Sequence, residues 1–582
     1  MSRVRRTAVR RLRALPCAAW PLVALLPGSC GDAPPGAASS DDHAPRSREP
    51  LFVEHAGAVD FTPQWGGSGR KHLTEITGGG VALFDADGDG DLDLFLPQGA
   101  ALPGFVGSAD FRDRLFRNDG DWRFTDVTDA SGVSDAGRGI DDYTYAAACP
   151  DFDGDGDQDL YLCNVGRNRF LRNDGGRFVD ATAEWGGDSS GWSTAAAFFD
   201  PDRDGDLDLY VVNYVDEDYA HPGCGPLERG PEYRSFCHPD EFPPADDALY
   251  RNEGGRLVDV TRAAGIAGSG GAGLGAVLSD YDGDGDVDLF VANDSTPNFL
   301  WRNEARAAGE LALREVAGEA FVAVDRSGLS TAAMGCDFGD LDGDLDFDLL
   351  VTNLDLEENT LYRNLGDGLF EDRSSASGLG PPSFLWVGFG AEFFDGDLDG
   401  DLDLLVANGH VCDNIHLLEP TQTFRQPPHW YVNDSTGRFT QRGAEIGGYF
   451  AGRYVGRGVA IGDLDDDGDA DAVVAHWERG PALLENRTRR AGAGPAWLGI
   501  ELVGSGGNRS ALGAHVTIEA GGWRQVEEVR GTSSYGAFHD LRLLFALRGA
   551  AAAERVTVRW PDGRSSEHGP LVAGRYHRLA IP

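Results

Sequence analysis

Lysine occurs once in this 582-residue chain, at Lys71, so Schiff-base or Ser–Lys chemistry has almost no candidate elsewhere. Basic residues are scarce against acids: 50 Lys and Arg face 95 Asp and Glu, a formal net charge of -45. That balance lacks the basic footprint nucleic-acid binding needs, and no nucleic-acid partner is expected. CxxC and other zinc spacings, HExxH, the P-loop and the dinucleotide fingerprint are all missing. "GDSSG" at 187–191 formally matches GxSxG, but it sits in a Gly/Ser-rich link rather than at a strand-to-helix elbow. No catalytic residue is assigned.

What is abundant is aspartate at alternate positions. Seven runs carry it: Asp85, Asp87, Asp89, Asp91 and Asp93; Asp151, Asp153, Asp155, Asp157 and Asp159; Asp200, Asp202, Asp204, Asp206 and Asp208; Asp280, Asp282, Asp284, Asp286 and Asp288. The remaining three are Asp340, Asp342, Asp344, Asp346 and Asp348; Asp395, Asp397, Asp399, Asp401 and Asp403; and Asp463, Asp465, Asp467, Asp469 and Asp471, the last with Asp466 added. Crowded carboxylates without a counter-ion repel and destabilise, so the pattern points to hard cations as partners. Aromatic and aliphatic residues are plentiful, which excludes disorder of the whole chain.

Other elements recur in register with the runs. A Gly-rich apolar strand such as "GGGVALFD" precedes most of them, and a β-rich strand such as "DLYVVN" follows. Then come segments such as "RLFRNDG" or "ALYRNEG", where Asn and Gly mark a hairpin turn, and a fourth strand such as "RFTDVTDASGV". Fourth strands begin near Phe124, Phe178, Leu257, Leu313, Phe370 and Phe439, one short of seven. The missing copy is "LFVEHAGAVDF" at 51–61, ahead of the first run. A seven-bladed all-β propeller closed by its N-terminal strand is predicted, with the aspartate runs joining strands one and two.

The Asp runs resemble the calcium loops of FG-GAP/VCBS repeats, as in integrin α propellers. The order of elements, with "LYRN" and "DVT" segments, resembles the cartilage acidic protein family. Residues 497–563, with "WLGIEL", "NRSALGAHVTI", "VEEVRGTSSYG" and "VTVRWPDG", are similar to its ASPIC/UnbV domain. The resemblance covers roughly residues 50–575 and implies up to seven Ca2+ ions, one per blade. Calcium takes six to eight oxygens, which short loops supply from alternate positions. In the first loop Asp85, Asp87, Asp89 and Asp93 would give carboxylates and Asp91 its carbonyl, while Gly90 permits the left-handed turn. The fifth loop has Leu345 where the others carry Gly, so its occupancy is the least certain.

The expected organisation is a signal peptide over 1–30, a flexible linker over 31–49, the propeller over 50–490 and a small β-rich ASPIC/UnbV-like domain over 495–582. Cys30 follows "LLPGS", which resembles a lipobox; Leu26 stands one place further away than that motif prefers, and ordinary signal cleavage is the alternative. Export permits disulfides, and Cys224 and Cys237, within one insertion, are the expected pair. Cys149, Cys163, Cys336 and Cys412 cannot be paired from sequence alone. The long insertions, chiefly 214–247, fall on the face opposite the Asp runs, where ligand binding is expected. Five places after each run stand Gln98, Asn164, Asn213, Asn293, Asn353, Asn408 and His476. They read either as caps of strand two or as a ring of polar groups near the axial opening suited to a sugar or peptide.

The functional expectation is an exported monomer of the cell envelope or extracellular space that binds a glycan or protein, touching a membrane only through an N-terminal lipid anchor. The alternative is a secreted or periplasmic enzyme, or an accessory protein of a secondary-metabolite pathway.

Overall fold

In each repeat the strand before the Asp run is largely apolar, with Asp337, Glu392 and Arg457 as buried charged exceptions, and buried on both faces. The first is Val81–Phe84, all four residues buried, and the last is Gly456–Gly462. These strands stand innermost, and each is followed outward by three antiparallel partners. In the first blade the partners are Asp93–Leu96, Arg114–Asn118 and Phe124–Asp126. The computed structural model describes residues 51–133, 143–489 and 494–582, all within one compact unit. The signal region, the linker and Cys30 lie outside the described residues.

Seven such four-stranded blades are present, and every expected fourth strand starts at its expected residue. The seventh blade takes its fourth strand from the N-terminal side: Phe52–Glu54 pairs antiparallel with Ala482–Asn486, Phe52 opposite Asn486. Phe52 lies 1% exposed against Phe394, Trp430 and Phe450, so ring closure is anchored by aromatic packing as well as by main-chain bonds. The "GDSSG" segment runs from the link between blades into strand: Ser190 opens the inner strand of the third blade, and Ser190–Trp192 pairs with Val165–Arg167 of the second.

Glycine recurs in the inner strands because seven of them crowd one axis. A Cβ on Gly80 would stand 2.5 Å from Tyr145 O and 2.7 Å from Gly536 O, and one on Gly458 would stand 2.9 Å from both Gly79 O and Tyr535 O. Two of those neighbours, Tyr535 and Gly536, belong to the C-terminal domain. That domain has a three-stranded sheet (Trp497–Val503, Leu543–Ala546, Tyr576–Ala580) and a four-stranded sheet (His515–Ala520, Trp523–Glu528, Arg555–Arg559, Ser565–His568). Val516, Ile518, Val556 and Val558 alternate inward from the latter to meet Leu498, Ile500 and Trp560.

Between the sheets the chain leaves the domain, and residues 529–540 fill the centre of the ring. Ala537–Phe538 pairs parallel with Val81 and Ala82 of the first blade. Tyr535 meets the Tyr145 hydroxyl of the second, and Thr532 Oγ1 donates to Ala196 O of the third at 2.8 Å. Gly275 of the fourth approaches Ser534 O so closely that a Cβ there would lie 3.1 Å from it. Ser534 exchanges main-chain bonds with Cys336 of the fifth, and its Oγ accepts from Ala391 N of the sixth at 3.0 Å. Gly458 of the seventh abuts Tyr535, so all seven inner strands touch this segment. One continuous set of buried apolar residues runs from Trp65 and Tyr145 through Tyr535 to Val556. Propeller and C-terminal domain therefore share a core.

Candidate metal centres

Each Asp run folds as a nine-residue turn, numbered here from its first aspartate. Positions four and six are left-handed in all seven turns, from Gly88 (φ 78°) and Gly90 (φ 97°) to Asp466 (φ 55°) and Gly468 (φ 91°). Position six is glycine except in the fifth loop, where Leu345 adopts φ 75°. The left-handed demand read from sequence is thus present there, filled by a residue that pays a steric penalty for it.

The first aspartate organises each turn. Asp85 accepts from Gly88 N at 2.9 Å and Gly90 N at 3.0 Å, and the position-six amide repeats this bond to Asp151, Asp200, Asp280, Asp340, Asp395 and Asp463 at 2.9–3.1 Å. The ninth aspartate locks the turn to its blade. Asp93, Asp159, Asp208, Asp288, Asp348, Asp403 and Asp471 each accept from the main-chain N of the Asn that ends strand three: Asn118, Asn173, Asn252, Asn303, Asn364, Asn433 and Asn486.

Those Asn side chains do something the sequence reading missed, having treated them as turn formers. Asn118 Nδ2 donates to Leu464 O of the seventh loop at 2.9 Å, and Asn173 Nδ2 to Ala86 O of the first at 2.9 Å. Asn303, Asn364, Asn433 and Asn486 reach Pro201, Tyr281, Leu341 and Gly396 in the same way. Each bond stitches a blade to the position-two carbonyl of the preceding loop. The recurrence of Asn in a fixed place after "LYR" was the available signal.

The donor set suits a hard divalent cation. An oxygen from each of Asp85, Asp87 and Asp93 lies within 4.8 Å of the others, and the same holds for Asp151, Asp153 and Asp155, for Asp200, Asp202 and Asp204, and for Asp280, Asp282 and Asp288. Buried carboxylate oxygens without a hydrogen-bond partner recur in these turns: Asp151 Oδ1, Asp206 Oδ1, Asp208 Oδ2, Asp280 Oδ1, Asp288 Oδ2, Asp401 Oδ1, Asp403 Oδ2 and Asp469 Oδ1. At Asp208 the reason is local, because position two of its loop is Pro201, which has no N–H to offer. Burial pushes Asp93, Asp159 and Asp348 up to about 8 and Asp208 up to about 9, with neighbouring aspartates adding to the shift against bonds that oppose it. A cation among these oxygens would reverse that pressure. Several carboxylates and a main-chain carbonyl in one short turn make up the kind of all-oxygen donor set that calcium takes.

The loops differ in their surroundings. Arg559 of the C-terminal domain pairs with Asp280, Arg363 with Asp342, and Arg542 with Asp466 at 2.8 Å. Gly507 N donates to Gly205 O of the third loop at 3.0 Å, and Tyr576 OH to Asp463 Oδ2 at 2.8 Å. The C-terminal domain therefore sits on the loop face of the ring.

The polar series after strand two is buried throughout. Asn164, Asn213, Asn293, Asn353 and Asn408 donate Nδ2 to Arg167 O, Asp246 O, Pro297 O, Glu358 O and Pro427 O at 2.7–2.8 Å. Gln98 Oε1 accepts from Gln64 N at 2.5 Å, and His476 bonds Gly480 O at 3.2 Å and Tyr449 OH at 3.0 Å. These groups hold the connections that follow strand two, and at 0–5% exposure they offer no open ring to a ligand. Cys224 and Cys237 form the expected disulfide, which removes both sulfurs from metal binding beside His221. Cys149, Cys163, Cys336 and Cys412 are free and buried. The insertions gather on the opposite face, where Glu217 accepts from Leu73 N, Thr74 N and Thr74 Oγ1, and Lys71 pairs with Asp413.

One constellation invites a catalytic reading: Ser533, His539 and Glu392. Ser533 Oγ lies 3.0 Å from His539 Nε2 and 2.9 Å from Glu392 Oε2. His539 Nδ1, however, accepts from Ile461 N at 3.1 Å, so the ring proton sits on Nε2, the nitrogen facing serine. A triad needs the opposite tautomer, with Nδ1–H held by the acid. The three are buried structural groups.

Comparison with known proteins agrees with this architecture. The FG-GAP-like repeat family matches residues 151–211, 280–351 and 340–406, and the ASPIC and UnbV family matches 504–582. Cartilage acidic protein 1 of Mus musculus is 27% identical over 363 residues, 60% of this chain and 50% of that protein. The Homo sapiens protein is 26% identical over 361 residues, 60% and 49% respectively. The chain thus spans about half the length of the curated relatives it matches. Among solved structures, an Agrocybe aegerita lectin that recognises non-reducing terminal N-acetylglucosamine aligns at TM-score 0.35 and 15% identity, covering 76% of this chain and 96% of that one.

Proposed function

We propose that this chain, an FG-GAP-repeat propeller with an ASPIC and UnbV domain and a relative of the cartilage acidic proteins, is an exported calcium-stabilised module that acts by binding a glycan or protein ligand. The observation that carries the calcium reading is the recurrence of buried, unpartnered carboxylate oxygens in turns that share one backbone. An uncompensated buried carboxylate costs several kcal/mol, and repeating it around a ring is tolerable only with a counter-ion. Positions one, three, five and nine would supply carboxylates and position seven its carbonyl, and the bound ion would neutralise the turn and brace each loop against the next blade. Binding is favoured over catalysis at Ser533 because the tautomer at His539 leaves that hydroxyl without an activating base. Export rests on the N-terminal signal pattern; among the described residues no helix is long and apolar enough to cross a membrane.

The test is thermal unfolding of the full chain in millimolar calcium, in millimolar magnesium and after chelation. At 1 mM calcium and a Kd of about 10⁻⁴ M, each filled loop adds about 1.4 kcal/mol. The expected result is a midpoint raised by calcium and not by magnesium. Equal midpoints in all three conditions would reject the calcium role.

A further inference from the structure

A cleft of about 650 Å³ opens not among the insertions but on the loop face, where the first, second and seventh loops meet the C-terminal domain. Its two walls differ in charge. The propeller wall is acidic, with Asp85 and Asp89 of the first loop, Asp151 and Asp157 of the second and Asp466 of the seventh; the C-terminal wall carries four arginines, Arg509, Arg542, Arg575 and Arg578, against two acids, Glu501 and Asp540.

These charges are only partly matched. No ion pair involves a carboxylate of the first or second loop among the described residues, in contrast to the fourth, fifth and seventh loops. Arg575 is exposed and makes no side-chain bond among the described residues, while Arg509 lies along the second loop, with Gly154 O at 3.4 Å and Gly156 beside it. Arg578 has Glu501 at 3.3 Å. Arg575, left without a partner in a chain with 95 acids, is not so for want of them. The cleft leaves room between it and the loops for a ligand that meets both.

We propose that this cleft binds an acidic saccharide of the uronate class, with its carboxylates on Arg509 and Arg575 and its hydroxyl oxygens toward the cation-holding first and second loops. This rests on the calcium reading above. Guanidinium forks match planar carboxylates bidentately. Calcium accepts further oxygen donors beyond those a short turn supplies. A uronate offers a carboxylate and ring hydroxyls on every unit, whereas an acidic peptide offers carboxylates without hydroxyls. Tyr576 and Trp497 line the same cleft and give it an aromatic border.

The experiment is calorimetric titration of the full chain with a galacturonate oligosaccharide, a neutral galactose oligosaccharide and a polyglutamate peptide, in millimolar calcium and after chelation. Expected is calcium-dependent galacturonate binding that weakens at least about tenfold in R509Q/R575Q, a loss of charge-assisted bonds, with little response to the other two probes. The calcium-induced midpoint of R509Q/R575Q should match the parent, which shows that the variant is folded and its loops intact. Galacturonate affinity unchanged in the variant, binding that survives chelation, or equal affinity for polyglutamate would each overturn the assignment. A calcium-stabilised chain that ignores galacturonate overturns this cleft alone; a chain that calcium does not stabilise overturns the calcium reading beneath it.

Discussion

The seven aspartate turns repeat one hydrogen-bond scheme around the ring, whereas residues 529–540 meet seven inner strands in seven different ways. The turns are interchangeable in outline: first aspartate to the position-six amide, ninth aspartate to the strand-three Asn. The central segment uses parallel pairing at Val81, a hydroxyl contact at Tyr145, a side-chain bond to Ala196 O and reciprocal main-chain bonds at Cys336. Charge divides the same way. From residue 494 onward ten arginines stand against eight carboxylates, so the excess of acid belongs to the rest of the chain. Repetition handles the rim, where each turn presents the same donor set. The centre, where seven strands converge on one axis, is filled by a single sequence used once.

This contrast breaks most visibly at Tyr535. It is fully buried, its ring edge-on to Phe389 at 4.8 Å, its hydroxyl bonded to Thr77 O, and the buried Arg457 lies over Phe389 at 3.9 Å. Tyr535→Ala opens a void on the axis and is expected to cost about 3–5 kcal/mol. Because the core is shared, blade and C-terminal signals should shift together in denaturant titrations at saturating calcium. A blade transition left at its original midpoint while the C-terminal domain melts early would show that the segment only rests in the ring.

The next test concerns the stitches between blades. Asn173→Ala removes the bonds to Ala86 O at 2.9 Å and Gln158 O at 3.0 Å and leaves buried carbonyls unsatisfied, a loss of about 1–3 kcal/mol. The third blade provides the control, because the Asn252 amide reaches Leu207 O of its own loop at 3.3 Å. Asn252→Ala should cost less than Asn173→Ala. Equal losses would mean that the side-chain bond across blades carries no energy of its own.

What the sequence revealed follows the same divide. Blade count, strand starts and the closing strand at Phe52 were legible because each repeats, or completes a repeat, and periodicity is visible without coordinates; the disulfide was legible because Cys224 and Cys237 share one insertion. The left-handed turn at Gly90, and its costly counterpart at Leu345, were legible from local backbone rules. The centre was not. "GTSSYGAF" carries no period, and the glycines that make room for it on the inner strands read equally well as tight strand packing. Gln98, Asn164, Asn213, Asn293, Asn353, Asn408 and His476 showed their register but not their burial, since a polar residue at a strand end has the same local pattern whether it faces an opening or bonds the chain beside it.

The smallest effect isolates the backbone demand of a single turn. Gly90 has φ 97°, and a Cβ there would meet nothing within 4 Å, so Gly90→Ala adds strain without a clash. It reproduces in the first loop the left-handed, non-glycine position that Leu345 imposes on the fifth. The expected loss is about 1–2 kcal/mol, from the left-handed conformation alone. Loss of that turn should also weaken one calcium site in a titration while the others keep their affinity. An unchanged midpoint with all sites intact would mean that the turn relaxes out of the left-handed region at little cost. The glycines at position six would then be a convenience of the rim, and Leu345 no handicap to the fifth loop.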